Sequence, residues 1–92
     1  MNKKTQSTFR PNYAIAPGEI LRDTLAARGM SQAELADRTG TLEKAIIEII
    51  AGNASITAET ALQLERALSI PASFWNNLEK NYQESLAHLK KG

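Results

Sequence analysis

The chain has 92 residues, of which 42% are hydrophobic and 23% are charged, and these values are typical of one folded globular domain. It contains no cysteine, which excludes disulfide bonds, thiolate metal sites and a cysteine nucleophile, and no apolar run approaches the roughly 20 residues that span a bilayer. Because the formal net charge is only +1, overall electrostatics do not indicate a nucleic-acid partner, and any such function has to be inferred from local pattern.

The start of the chain shows neither helical nor strand periodicity. We predict that residues 1–16 form a flexible arm ahead of a helical domain that spans residues 17–92. Lys3, Lys4 and Arg10 in this arm could contact DNA phosphates, or the segment could be a tail without a binding role. The polar start lacks the apolar core of a secretory signal, so we expect a cytoplasmic protein without a membrane partner.

Two short helices are predicted in the segment that follows. Pro17 suits the first turn of a helix, and Gly29 suits the left-handed position just past its end. Ser31 and Glu34 form a capping box at the start of the second helix, which Gly40 is expected to end.

A third helix is predicted over residues 41–51. Thr41 is expected to be its N-cap, and Ile46 and Ile49 share one helical face before Gly52 ends the segment. Isoleucine favours strands, but the glutamate, lysine and alanine residues between these positions and the flanking glycines favour a helix.

Two further amphipathic helices complete an all-α chain. Thr57 is expected to begin the fourth helix. The residues predicted to face inward on it are Ala61, Leu62, Leu64, Ala67 and Leu68. Pro71 opens a fifth helix. Its apolar residues recur at three- and four-residue steps and are Phe74, Trp75, Leu78, Tyr82, Leu86 and Leu89. This stripe is longer than a compact core needs, which favours a partner.

The second and third helices together have the form of a helix-turn-helix motif. Residues 31–38 and 41–51 are joined by a tight turn at Thr39 and Gly40. In such a motif the first helix crosses the DNA backbone, and the second lays its first turns in the major groove, which is wide enough for one helix.

The sequence of this motif also carries a family resemblance. The run Ser-Gln-Ala-Glu-Leu-Ala at residues 31–36, followed by Ile46, Ile49 and Gly52, resembles lambda-repressor-like (Xre-type) helix-turn-helix domains. The segments that flank the motif are similar to HigA-type antitoxins of toxin-antitoxin operons. These segments are residues 17–21, 55–57, 61–64, 70–71 and 74–78. The resemblance implies a five-helix lambda-repressor-like fold with an extended C-terminal helix, without a cofactor. It also implies a homodimer that represses its own operon by binding operator DNA, and a HigB-like RNase toxin as partner.

The same resemblance implies which residues meet DNA. Gln32 matches a position that contacts DNA near the backbone. Thr41 precedes the base-reading first turn of the recognition helix. That turn corresponds to Leu42, Glu43 and Lys44, and Glu48 lies one turn later.

The recognition helix departs from the family pattern because it carries two carboxylates. Glutamate can accept a hydrogen bond from cytosine N4, yet each carboxylate also repels phosphates. Ile47 could contact a thymine methyl group or lie in a protein interface. These residues leave a second function open, namely a helical protein-interaction module with weak or no DNA binding.

The fifth helix is expected to support dimerisation. Phe74, Trp75, Leu78 and Tyr82 are the predicted interface residues, with one of the two adjacent aromatic rings pointing inward.

Other chemistry-bearing residues have simpler structural interpretations. His88 is the only histidine and has no second ligand at suitable spacing, so no metal site is expected. Ser31 is interpreted as a helix cap rather than a nucleophile. The spacing of Glu43 and Glu48 does not direct both carboxylates to one point. No catalytic residue is therefore assigned, and the chain is not expected to be an enzyme.

Overall fold

A computed structural model describes residues 14–91, so Lys3, Lys4 and Arg10 of the predicted arm lie outside the described residues. The described part forms five helices and no strand. They are α1 (Pro17–Arg28), α2 (Gln32–Thr39), α3 (Glu43–Ile50), α4 (Ala58–Leu68) and α5 (Ala72–Lys91). The predicted all-α architecture with a long final helix is thus confirmed. No helix in this range is long and apolar enough to cross a membrane.

Both ends of α1 and α2 and the start of α4 form where the local sequence predicts them. Gly29 and Gly40 are left-handed, with φ values of 64° and 70°, and their backbone N–H groups bond the last turns of α1 and α2. The Ser31 hydroxyl accepts a hydrogen bond from the Glu34 backbone N–H at 3.0 Å, and Thr57 caps α4 in the same way. The Glu34 carboxylate accepts from Arg38, 2.7 Å away on the next turn.

The predicted N-cap of α3 is wrong. Leu42 occupies that position, and no side chain caps the first turn. The Thr41 hydroxyl instead donates a hydrogen bond to the Gln63 side-chain oxygen of α4 at 3.1 Å. The helix begins one residue later than predicted because this long-range contact, invisible in local sequence, holds Thr41 outside it.

The core is built from the inward faces of all five helices. Its largest fully buried side chains are Trp75, Leu21, Leu35, Ile46, Leu64 and Leu68. The prediction that Leu62 faces inward is wrong, because this side chain is 50% exposed. Ala61, Leu64 and Leu68 define the buried face of α4, and at about 100° per residue Leu62 falls outside that stripe.

Two long-range hydrogen bonds join elements that are distant in sequence. The backbone N–H of Ile56, in the loop after α3, donates to the Glu79 carboxylate of α5 at 2.9 Å. The Arg28 guanidinium at the end of α1 donates to the Leu68 carbonyl oxygen at the end of α4. The loop after α3 is therefore fixed to α5, and the end of α1 is fixed to the end of α4.

Candidate nucleic-acid interface

The α2–α3 pair is joined by three residues, as in a helix-turn-helix motif. The Thr41 backbone N–H donates to the Ala36 carbonyl oxygen at 3.0 Å, which closes the turn after left-handed Gly40. Leu35 and Ile46 are buried on the facing sides of the two helices. This packing fixes the angle between α2 and α3 and leaves the opposite side of each helix in solvent.

The solvent side of α3, here called the outer face, consists of Glu43, Lys44, Ile47 and Glu48. The first three are exposed and Glu48 is half-buried. Leu42, at the N-cap just before the first turn, is 77% exposed. The structure thus places three of the six predicted DNA-binding residues, Glu43, Lys44 and Glu48, on one side of α3, and a fourth, Leu42, in solvent at the start of the helix.

The other two predicted DNA-binding residues have different surroundings. Gln32, the first residue of α2, lines a groove of about 450 Å³ together with Glu43 and Arg22, so it lies on the same side as the start of α3. Thr41 is half-buried, and its hydroxyl proton is committed to Gln63. A hydroxyl in this state offers only acceptor lone pairs, so Thr41 supports the start of α3 and cannot donate to a phosphate without breaking that bond.

The charge near the motif differs from that of a strongly basic nucleic-acid surface. Residues 14–92 contain 8 basic and 10 acidic residues, a formal net charge of −2, and the other three cations precede residue 14. On the outer face a single ammonium group accompanies two carboxylates, and Arg38 of α2 already pairs with Glu34. The outer face therefore presents hydrogen-bond acceptors and apolar groups more than positive charge.

The described residues contain no cluster of three or more histidine, aspartate or glutamate side chains that could hold a metal ion. Ser31 Oγ serves as the helix cap.

The α5 surface differs from its sequence-based prediction at one residue. Trp75 is fully buried, and its ring meets Phe74 edge-on at a centroid distance of 5.1 Å, so Trp75 is a core residue with no surface for a second copy to contact. Phe74 is 41% exposed, whereas Leu78 and Tyr82 are half-buried. The expectation that one of the two aromatics points inward is confirmed.

The apolar stripe of α5 continues past the residues predicted for the interface. Leu86 and Leu89 are half-buried and, with Ala87, line a shallow groove of about 420 Å³ near the end of the helix. The signal was present in the sequence as the continued three- and four-residue spacing, but these two residues were not assigned to the interface.

Comparison with known proteins agrees with this geometry. The sequence profile described as Helix-turn-helix matches residues 21–75, from α1 into the first turn of α5. The chain is 38% identical over 79 residues to Virulence-associated protein I of Dichelobacter nodosus, a match that covers 85% of this chain and 73% of the relative.

Two solved structures are similar over most of their length. One is the Pseudomonas aeruginosa antitoxin HigA with the higBA promoter, with 33% identity, a TM-score of 0.82, and coverage of 87% of this chain and 88% of the other. The second is an addiction module antidote protein of the HigA family from Coxiella burnetii, with 37% identity, a TM-score of 0.76, and coverage of 90% and 87%. Both alignments cover most of the described helices.

Proposed function

Because the chain belongs to the helix-turn-helix family, we propose that it is a DNA-binding antitoxin that represses transcription of its own toxin-antitoxin operon. Its five helices form a lambda-repressor-like fold in which α3 is the recognition helix. The observation that carries the proposal is the likeness in fold and sequence to an antitoxin whose solved structure includes promoter DNA. The exposed outer face of α3 supports it, because nothing in the described part of the chain covers the surface that would enter the groove.

Two partners follow from this function and are part of the proposal. A HigB-like RNase toxin is the protein that the antitoxin neutralises, and co-purification with the product of the adjacent gene tests this partnership. A second copy of the chain is the other partner, since two-fold symmetry places two recognition helices in successive half-sites, about 34 to 36 Å apart. A repressor acts where the operator is, so we place the protein in the cytoplasm.

The direct test is a binding titration on two duplexes, the region upstream of this chain's own gene and a scrambled version of it. We expect the upstream duplex to bind more tightly, and both affinities to fall as salt rises because phosphate contacts release counterions. Fluorescence anisotropy at two salt concentrations measures both effects. Equal, weak binding to both duplexes would contradict the repressor function and favour the protein-interaction module.

Within this titration, Glu43→Gln separates base recognition from charge repulsion. If Glu43 accepts a hydrogen bond from a base, the variant should change relative affinities among operators altered at one position by about 5- to 150-fold, and Lys44→Ala should weaken binding. If the carboxylate only repels phosphates, the variant should bind every duplex more tightly and keep its preferences. Glu84→Gln on α5 is the matched control, since it removes the same charge outside the α2–α3 motif.

The dimer is expected to form through the part of α5 that lies outside the core, where the half-buried side chains of Tyr82, Leu86 and Leu89 continue the apolar stripe. Leu86→Glu should convert the dimer to a monomer without unfolding it, because Leu86 is not among the residues of the buried core. Sedimentation at micromolar concentration measures the mass. Leu62→Glu introduces the same charge at an exposed leucine of α4 and should leave the dimer intact. A monomeric wild type, or dissociation by the α4 variant alone, would rule out this interface.

A further inference from the structure

The outer face of α3 carries exposed apolar side chains, whereas the DNA-facing side of a recognition helix usually carries polar or charged residues. Among the described residues five large hydrophobic side chains are exposed, and two of them, Leu42 and Ile47, belong to the recognition helix and its N-cap. Ile47 is 43% exposed although Ile46 and Ile49, on the other side of the helix, already fill the contact with the core. Packing of α3 therefore does not explain why residue 47 is apolar.

The backbone presents these two side chains in a fixed arrangement. Ile47 follows Glu43 by four residues and Lys44 by three, so it lies next to both on the helix surface, in the middle of the outer face. Leu42 directly follows Thr41, which is held from two sides by its backbone bond to Ala36 and its hydroxyl bond to Gln63. The start of α3 is thus anchored, and Leu42 points away from the core.

Base edges in the major groove offer one apolar group, the C5-methyl of thymine. The carboxylates beside Ile47 can accept a hydrogen bond from the N4 amino group of cytosine or the N6 amino group of adenine, whereas the O6 and N7 atoms of guanine are acceptors that would repel them. The chemistry of the outer face therefore matches thymine methyl groups together with the amino groups of cytosine or adenine.

A protein partner fits this surface less well than a base edge does. The centre of a protein interface is usually apolar and depleted of charge. Ile47 instead lies among Glu43, Lys44 and Glu48, and the exposed apolar area of this surface comes from only two side chains, Ile47 and Leu42. An isolated methyl group flanked by polar atoms is what a base edge provides.

From these observations we infer that the recognition helix selects its operator through thymine methyl groups, contacted by Leu42 and Ile47, beside cytosine or adenine amino groups that donate to Glu43 or Glu48. This inference rests on the proposed DNA-binding function. Each methyl group buried in such a contact contributes about fourfold to affinity, as for a buried methylene group.

Replacement of thymine by uracil tests the inference, because uracil lacks only the C5-methyl group and keeps its base pairing. The probes are the duplex upstream of this chain's own gene and the scrambled duplex, each made with thymine or with uracil throughout. Wild type should bind the uracil form of the upstream duplex about fourfold more weakly for each methyl contact. Ile47→Ala and Leu42→Ala should bind the thymine form more weakly and lose part of the uracil penalty. Leu62→Ala removes a leucine on α4 that is 50% exposed, between Ile47 at 43% and Leu42 at 77%, and this variant should keep the whole uracil penalty.

The possible failures are distinguishable. A wild type that prefers the upstream duplex but binds its thymine and uracil forms equally would overturn the thymine readout and leave the DNA-binding function intact. A penalty of the same size in wild type, Ile47→Ala and Leu42→Ala would also overturn it, since the methyl groups would then act through duplex shape. No preference for the upstream duplex in either form would contradict the DNA-binding function itself. Far-UV circular dichroism of each variant verifies that the helices are retained.

Discussion

Gly18→Ala is expected to lower the free energy of unfolding by about 3 kcal/mol, although alanine normally stabilises a helix by about 1 kcal/mol relative to glycine. The reason is the contact between α1 and α3. A methyl group on Gly18 would overlap the carbonyl oxygen of Ile49 and lie only 2.8 Å from the Ile50 Cα atom. Both are backbone atoms, so no side-chain rotation can relieve the overlap, and α1 and α3 have to move apart.

This change should also affect DNA binding, because Ile49 and Ile50 form the end of the recognition helix. Urea unfolding followed by circular dichroism measures the stability. Gly29→Ala is the matched control, since its added methyl meets no atom within 4 Å and the only cost is the left-handed backbone at φ 64°. That cost is about 1 kcal/mol. A Gly18→Ala protein as stable as wild type would show that the two helices are not in backbone contact.

Trp75→Ala is expected to cost about 3 to 5 kcal/mol, which is comparable to the whole stability of many domains of this size. Trp75 has the largest of the fully buried side chains and no exposed surface. Its removal leaves a cavity among leucines from several helices, and α5 would lose its main attachment to the core. Urea unfolding should be followed by circular dichroism, because the variant has no tryptophan left for fluorescence.

Two variants make this prediction specific. Trp75→Phe should lose much less stability, because it retains most of the apolar ring and removes an indole N–H that is buried without a hydrogen-bond partner in the described part of the chain. Phe74→Ala should cost about 1 kcal/mol or less, since that neighbouring ring is 41% exposed. Equal losses in Trp75→Ala and Phe74→Ala would contradict the assignment of Trp75 to the core.

Several helix termini were predictable because their caps are made by neighbours in the chain, whereas the left-handed C-cap of α4 at Ser69 was not predicted. The hydroxyl groups of Ser31 and Thr57 each accept a hydrogen bond from the backbone N–H three residues later. Gly29 and Gly40 adopt a left-handed backbone conformation that most other residues avoid. The N-cap of α3 was not predictable in this way, because the Thr41 hydroxyl has two competing partners. One would be local and one is Gln63, 22 residues later, and only the packing of α4 decides between them.

In the candidate site, too, some features were predictable from local sequence and others depended on the packing of the helices. The spacing of Glu43, Lys44, Ile47 and Glu48 is enough to place these side chains on one side of a helix, and the identity of the three charged residues defines which base atoms they can bond. Spacing could not show which apolar residues stay exposed. Ile46 and Ile47 are adjacent and have the same side chain, but only Ile46 is buried. Ile47 is exposed because the other helices pack against the side of α3 that carries Ile46.

The amino-acid sequence by itself determined five helices, their order, most of their ends and the helix-turn-helix motif, because capping and amphipathic periodicity act over one or two turns of chain. Tertiary structure alone decided that Trp75 belongs to the core, that Leu62 lies at the surface and that α1 meets α3 at Gly18. Each of these depends on how helices distant in sequence share a limited interior volume. An apolar stripe shows which side of a helix is to be covered, but the neighbouring helices decide how much of it they cover and how much remains for DNA or a second copy.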